Sequence, residues 1–372
     1  MSNLRDRLRR IQEQKNTDPA QKAENNEQIT SDNERIPSGL AEYGWIVCGF
    51  NVLKRDVCLP SPFKPIKKLP LALPVLVPDL TGRELPLPED FLFFDLETTG
   101  LSGGGGTVAF LAAFGKILSG TLRITQYLLL DYPGLNDFLE NVLSEFNNER
   151  TAVISYNGKS FDSQIIKTMC ILNRIKPPDY AHVDLLHPAR RLWKRIIPNC
   201  SQISIETAML DISRTDDIPG EFAPEIWFDF LKTGKIDRLM GICDHNKADI
   251  SGLASIFFAI IQIANDPFSA QYKYDIERLA IYWRKYLRHH EKILTDNELR
   301  LTGEKLLRYV ALKDYPRAVY IYAYDQMKKE NHEESLEFVN RGLALFEEDS
   351  KWHKILKRRK TRLEKKTDAN PS

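Results

Sequence analysis

Residues 93–101 read FFDLETTGL, an apolar run ending in two acids one residue apart and then in a turn. Side chains alternate along an extended strand, so Asp95 and Glu97 project to one face and Leu96 to the other. Phe91, Leu92, Phe93 and Phe94 suit a core strand, and Thr98, Thr99 and Gly100 turn the chain directly after it. A sheet that buries this strand holds two carboxylates a few ångströms apart. Keeping both ionised there is costly, and a shared proton or a bound divalent cation relieves the cost. An edge strand with a solvated acidic tip is the alternative without chemistry.

The pattern around this stretch predicts an α/β fold. A glycine run, SGGGG, precedes a second strand over 107–116, and residues 122–130 alternate as a third. An amphipathic helix over 135–146 leads to a fourth strand over 152–156. Asn157 and Gly158 then turn the chain into a helix with Asp162 in its first turns, and a fifth strand covers 182–186. Three strands, a helix, a strand, a helix and a strand make a mixed β-sheet flanked by helices. Farther on, Ile250, Leu253, Ala254, Phe257, Ile260 and Ile261 recur at helical spacing, and His245 and Asp249 stack one turn apart on that helix.

The flanks divide the chain. Residues 1–35 are polar and predict a disordered arm. Residues 36–90 are read as an extended strap, because the prolines from 60 to 88 cannot feed a central sheet. The catalytic-type domain covers 91–266, an all-α helical annex 267–366, and a disordered tail 367–372. Helices are expected at 272–293, 297–311, 315–328 and 333–346; the last two resemble a helical hairpin of the tetratricopeptide type. The basic stretch 351–366 reads as a nucleic-acid-binding tail or a solvated helix end.

With 52 basic and 51 acidic residues the chain has a formal charge of +1, so any nucleic-acid surface must be local. Five cysteines without a C-x-x-C pair argue against a zinc site and a disulfide framework, which points to a reducing cytoplasm. No apolar run is read as long enough to span a bilayer, and the charged start MSNLRDRLRR lacks the apolar segment of a signal peptide. The expectation is a cytoplasmic protein with no membrane partner.

Asp95 and Glu97 in FDLETTGL, Asp162 in YNGKSFDSQII, and His245 with Asp249 in HNKADISGL resemble the three motifs of the DEDD 3′–5′ exonuclease superfamily, on the ribonuclease H-like fold. The chain is further similar to the YprB-like ribonuclease H-like proteins through SGGGGTVAFLAAFG, HVDLLHPARRLWKR and SRTDDIPGEFAPEIWFDFLKTG. The resemblance covers residues 91–258. One spacing departs from it. His245 stands four residues before Asp249, where one branch carries tyrosine; the histidine branch usually has five.

The resemblance implies a metal-dependent nuclease that hydrolyses phosphodiester bonds of DNA or RNA, foremost a 3′–5′ exonuclease using two Mg²⁺ or Mn²⁺ ions. Asp95 would bridge both ions, Glu97 and Asp249 would hold one, Asp162 the second, and His245 would be the general base. Thr98, Thr99, Gly100 and Leu101, with Asn157, would contact the nucleotide at a 3′ end. Two other readings use the same residues: a structure-selective endonuclease on this fold, and an inactive scaffold that binds a protein partner through its annex. Asp184 reads as a structural hydrogen-bond acceptor rather than a fifth acid. Arg190, Arg191, Lys194 and Arg195 form a basic helix face that either follows phosphates or is simply solvated. Asp216, Asp217, Pro219 and Gly220 read as a tight turn whose Pro and Gly set backbone angles.

Overall fold

The computed structural model describes residues 39–62, 68–82, 84–100, 106–146, 151–291 and 296–368; the expected N-terminal arm and Leu101 lie outside them. The chain divides into two units, one of Met1–Leu69, Pro86–Leu185 and Leu210–Phe258, the other of Pro70–Leu85, Leu186–Met209 and Ala259–Ser372.

The first unit is built on seven strands: β1 (Ile46–Gly49), β2 (Val52–Pro60), β3 (Phe91–Thr98), β4 (Ala109–Leu118), β5 (Thr121–Leu129), β6 (Ala152–Ser155) and β7 (Ala181–Asp184). Their order in the sheet is β1-β2-β5-β4-β3-β6-β7. β6 pairs parallel with β3 and with β7, and all other pairs are antiparallel. The sheet is therefore mixed, as the strand and helix succession requires, with two more strands than the five expected. The additional pair, β1 and β2, comes from the segment read as a strap. The prolines that suggested a strap begin only at Pro60, the last residue of β2; the stretch VLKRDVCL before it has none and pairs with β5 along its whole length.

β3 lies inside the sheet, and seven of its eight residues are buried. Phe94 stacks on Phe114 at 5.2 Å on one face, and Phe91 meets Phe257 edge-on at 4.8 Å on the other. Phe257 belongs to a long helix, Asp237–Asn265. That helix comes close to β4 because Gly115 has no side chain: a Cβ there would stand 2.5 Å from Ile250 Cγ2. By length and composition the same helix could cross a bilayer, contrary to the expectation that no segment would, but 67% of its apolar window is buried. Its apolar residues are those of a core helix, and truncating Phe257 to Ala should cost about 3–5 kcal/mol.

Twelve helices lie among the described residues: α1 (Leu73–Leu76), α2 (Leu135–Ser144), α3 (Asp162–Leu172), α4 (Leu186–Trp193), α5 (Gln202–Leu210), α6 (Ala223–Thr233), α7 (Asp237–Asn265), α8 (Ile276–His289), α9 (Asn297–Leu312), α10 (Pro316–Lys328), α11 (His332–Leu345) and α12 (Lys351–Asp368). In the second unit α8 to α12 pack in succession. Asp275 caps α8 by accepting from the Arg278 amide at 2.9 Å, so the helix begins after the expected start at 272. Gly303 lets α9 approach Trp283, whose indole donates to the Leu299 carbonyl at 3.0 Å. The basic stretch 351–366 falls in α12, which buries Leu356 and Leu363, two turns apart, so one side of it packs rather than being solvated throughout.

Candidate active site

β3 delivers Asp95 and Glu97 to one face, and a register shift between Glu97 and Thr98 ends its regular pairing with β4. Asp162 opens α3. The loop before that helix is held by Asp184, whose carboxylate accepts the amides of Asn157 at 2.8 Å and Lys159 at 3.3 Å. Asp184 thus serves the structural role read for it. Gly158 has no space for a side chain: a Cβ would lie 2.5 Å from Ser155 Oγ and 2.8 Å from Asp162 Oδ2. α7 contributes His245 and Asp249 from consecutive turns.

Glu97, His245 and Asp249 offer ligand atoms that all lie within 4.8 Å of one another. Asp95 and Asp162 belong to the same negative field. Burial pushes the Asp95 carboxyl well up, and Asp249, Asp162 and Glu97 push it further, while a hydrogen bond from Asn246 opposes them. Glu97 is raised well above its ordinary value by burial, then by Asp249, Asp162 and Asp217. Asp162 is raised to about 7, first by burial and then by Asp184 and Asp249. The structure therefore brings together the five residues Asp95, Glu97, Asp162, His245 and Asp249. Acids that raise one another in this way form a set fitted to a hard divalent cation, which favours oxygen donors.

Three neighbours of this set were not anticipated. Asn246 donates to Asp95 Oδ2 at 2.7 Å. Arg214 donates to Asp249 Oδ1 at 2.8 Å and reaches Asp217 Oδ2 at 3.4 Å. Asp217 in turn meets His245 Nδ1 at 2.7 Å, while His245 Nε2 lies 3.1 Å from Asp249 Oδ2. Asp217, read as part of a tight turn, is thus also a direct partner of His245 and Arg214. For Gly220 the reading is corrected. Its φ is not in the left-handed region, and what it provides is room: a Cβ there would stand 3.0 Å from His245 Nε2 and 3.5 Å from Glu97 Oε1. The signal for both lay in SRTDDIPG, where Arg214 and Asp217 are three apart with a glycine following.

Behind Asn246 runs a buried polar chain. Cross-strand register aligns Arg55 on β2, Gln126 on β5, Ala113 on β4 and Asp95 on β3 in one row. The small Ala113 leaves a gap in that row, and Asn246 from α7 fills it. Arg55 donates twice to Gln126 Oε1, at 3.1 and 2.7 Å; Gln126 Nε2 donates to Asn246 Oδ1 at 3.0 Å and to the Cys243 carbonyl at 2.8 Å. The Arg55 guanidinium also lies over Trp45, 4.9 Å from the ring centroid.

The residues expected at the terminal nucleotide have local partners. Thr98 Oγ1 donates to the Gly100 carbonyl at 2.8 Å, and Thr99 Oγ1 accepts the Val108 amide at 3.0 Å. Asn157 is exposed, with φ 63°, and its Oδ1 accepts from Ser160 at 3.1 Å.

Residues 92–261 match the family model described as the RNase_H superfamily. YprB of Bacillus subtilis (strain 168), itself described as uncharacterised, is 39% identical over 172 residues, 45% of this chain and 41% of that protein. The chain thus spans less than half the length of this curated relative. Similar solved structures include E. coli exonuclease I in complex with a dT13 oligonucleotide, 18% identical over 55% of this chain and 46% of that one, TM-score 0.34. Another is the family B DNA polymerase of Pyrobaculum calidifontis, 13% identical over 53% of this chain and 29% of that one, TM-score 0.33.

Proposed function

We propose that this ribonuclease H-like domain is a divalent-metal-dependent nuclease that removes nucleotides from the 3′ end of DNA or RNA. The observation that carries this reading is the cluster of Asp95, Glu97, Asp162 and Asp249, in which burial and mutual repulsion raise the proton affinity of the first three. In our reading Asp95, Glu97 and Asp249 would hold one Mg²⁺ or Mn²⁺, and Asp95 with Asp162 would hold a second. Such ions supply positive charge that promotes attack by water and stabilises the departing oxygen. The protein's own part is to position and to move a proton. Asp217 accepts from His245 Nδ1 and fixes the imidazole, which leaves Nε2, beside Asp249 and Gly220, as the atom that takes a proton from the attacking water. Gly220 keeps that approach clear. Thr98, Thr99 and Gly100, with Asn157, would contact the terminal nucleotide; Leu101, also expected there, lies outside the described residues.

The test is hydrolysis of 5′-labelled linear and covalently closed oligonucleotides, DNA and RNA, with Mg²⁺ or Mn²⁺. Stepwise loss of mononucleotides from the linear strand, abolished by chelation and by Asp95→Asn, is the expected result. Rapid cutting of the closed circle would replace this reading with the endonuclease one. A folded Asp95→Asn protein that still cleaves at the parent rate would remove the assignment altogether.

A further inference from the structure

The helical unit contains a cavity of about 330 Å³ whose lining includes Arg195, Arg278, Tyr282, Lys285 and Arg317 and no carboxylate. We propose that this cavity is a second nucleic-acid site, one that holds the phosphates of a strand without reading its bases. The residues come from separate places in the chain. Arg195 follows α4, Arg317 opens α10, and Arg278, Ile281, Tyr282 and Lys285 form one stripe on α8 at the i, i+3, i+4, i+7 spacing of a single helix face.

Two features separate this cluster from an ordinary solvated face. The first is that three of its four cations lack a neutralising acid. Arg195 is paired, donating to Asp275 at 2.8 Å and Glu277 at 2.9 Å. Among the described residues no carboxylate forms an ion pair with Arg278, Lys285 or Arg317, although the chain carries nearly as many acidic as basic residues. Such a concentration of like charge opposes folding and is relieved by an anion. The second is its organisation. Arg191 and Arg278 each place a guanidinium 5.6 Å from the Tyr282 ring centroid, so the ring serves as a post for two cations. The Tyr282 hydroxyl is held below its ordinary pKa first by a hydrogen bond from Arg278, then by the fields of Arg278, Arg191 and Lys285.

Guanidinium forks match phosphate oxygens in pairs, and Lys285 adds a mobile point charge. Several cations around one cavity exceed the charge of a single phosphate and suit a chain of them. With the tyrosine engaged by arginines, no ring is left for base stacking, so recognition should be independent of sequence. The proposal does not depend on hydrolysis at the carboxylate site, and its test keeps the two apart.

Binding of the full-length protein to fluorescein-labelled dT20 and rU20 is measured by anisotropy in EDTA over a salt series. The double variant Lys285→Glu/Arg317→Glu, at two exposed positions, should weaken binding on the order of tenfold or more at about 0.1 M salt and flatten the salt dependence by about two phosphate contacts. Arg278→Gln, which only removes charge, should lose less in the same direction. Unchanged affinity and slope in folded variants would overturn the proposal. Polyglutamate competing as well as dT20 would replace it with an acidic-protein site, and equal competition by pyrophosphate at matched phosphate concentration would reduce it to a pocket for small anions. Because no divalent ion is present, none of these outcomes bears on cleavage.

Discussion

Both units gather charges of one sign, but by opposite means. In the ribonuclease H-like domain the acids are drawn from a strand and two helices into a largely buried site, and two of them gain help, Asp95 from Asn246 and Asp249 from Arg214, while backbone amides serve Asp184 nearby. In the helical unit Lys285 and Arg317 stand exposed on helix surfaces, where water and salt screen them. Like charges buried together need specific compensation and acquire unusual proton affinities, whereas exposed ones only repel weakly. The buried set is suited to a small ion and to chemistry, the exposed set to a long anion and to reversible binding.

The sharpest way to break this contrast is to exchange one charge in each cluster. Asp95→Asn should lower hydrolysis of a short oligonucleotide on the order of 10³-fold or more, because in the proposed function that carboxylate is central to holding the metal. Lys285→Glu should leave turnover of the same short substrate, at saturation, within about twofold. Equal losses from the two substitutions, measured as kcat on folded proteins, would show that the two clusters are not functionally distinct.

The buried set should also govern stability in a way the exposed one does not. Asp162 titrates near 4 in an unfolded chain and at about 7 in the fold, so folding takes up a proton between those values. The contribution is present below about pH 4 and is lost as pH rises towards 7. In EDTA the melting temperature of the first unit should therefore fall across this window, and Mn²⁺ should restore it above pH 7. Asp162→Asn should remove much of the pH dependence. A flat melting profile in EDTA would mean that the carboxylates are less strongly coupled than their placement indicates.

What was legible beforehand follows from what leaves a period in a sequence. The acids of β3 sit two apart on a strand, and the stripe of α7 repeats at helical spacing, so both elements and their polar residues stand out. The compensating residues do not. Asn246 reaches Asp95 across 151 positions and Arg214 reaches Asp249 across 35, and such bonds have no periodicity. β2 was obscured for another reason: the proline-rich run that begins at its last residue hid a strand that contains no interior proline, whereas β1 lies in YGWIVCGFNV, a stretch that reads as apolar and β-favouring.

Asp217 tests the third level of effect. His245→Ala should reduce turnover roughly 10²–10⁴-fold by removing the proposed proton acceptor. Asp217→Asn keeps the imidazole and alters only the partner of Nδ1, so a loss of roughly 10–100-fold is expected, together with a changed pH profile of kcat. If Asp217→Asn matched His245→Ala in size, Asp217 would have to act on the substrate or the ion directly rather than through the imidazole.

The smallest effect comes from the far end of the polar chain, at Arg55. A guanidinium can only donate, so Gln126 must present Oε1 to it; Nε2 then faces Asn246, and Asn246 must turn its own NH₂ towards Asp95. Arg55, together with the Cys243 carbonyl that accepts from the same Gln126 Nε2, thereby helps to determine which atom of a residue it never touches meets the carboxylate. Replacing it with Met preserves much of the stem over Trp45 but leaves the Cys243 carbonyl as the one remaining group that orients Gln126, and an Asn246 that flipped in consequence would place an oxygen against Asp95 Oδ2. That contact is repulsive and raises the proton affinity of Asp95, so cations should bind less tightly. The expected result for Arg55→Met is a several-fold increase in the Mn²⁺ concentration at half-maximal activity, with kcat at saturating Mn²⁺ changed by less than about threefold. Arg55→Lys, which still only donates, should recover part of the shift. An Arg55→Met protein whose Mn²⁺ midpoint equals that of the parent would show that the amides hold their orientation without the guanidinium, the Cys243 carbonyl sufficing to orient Gln126.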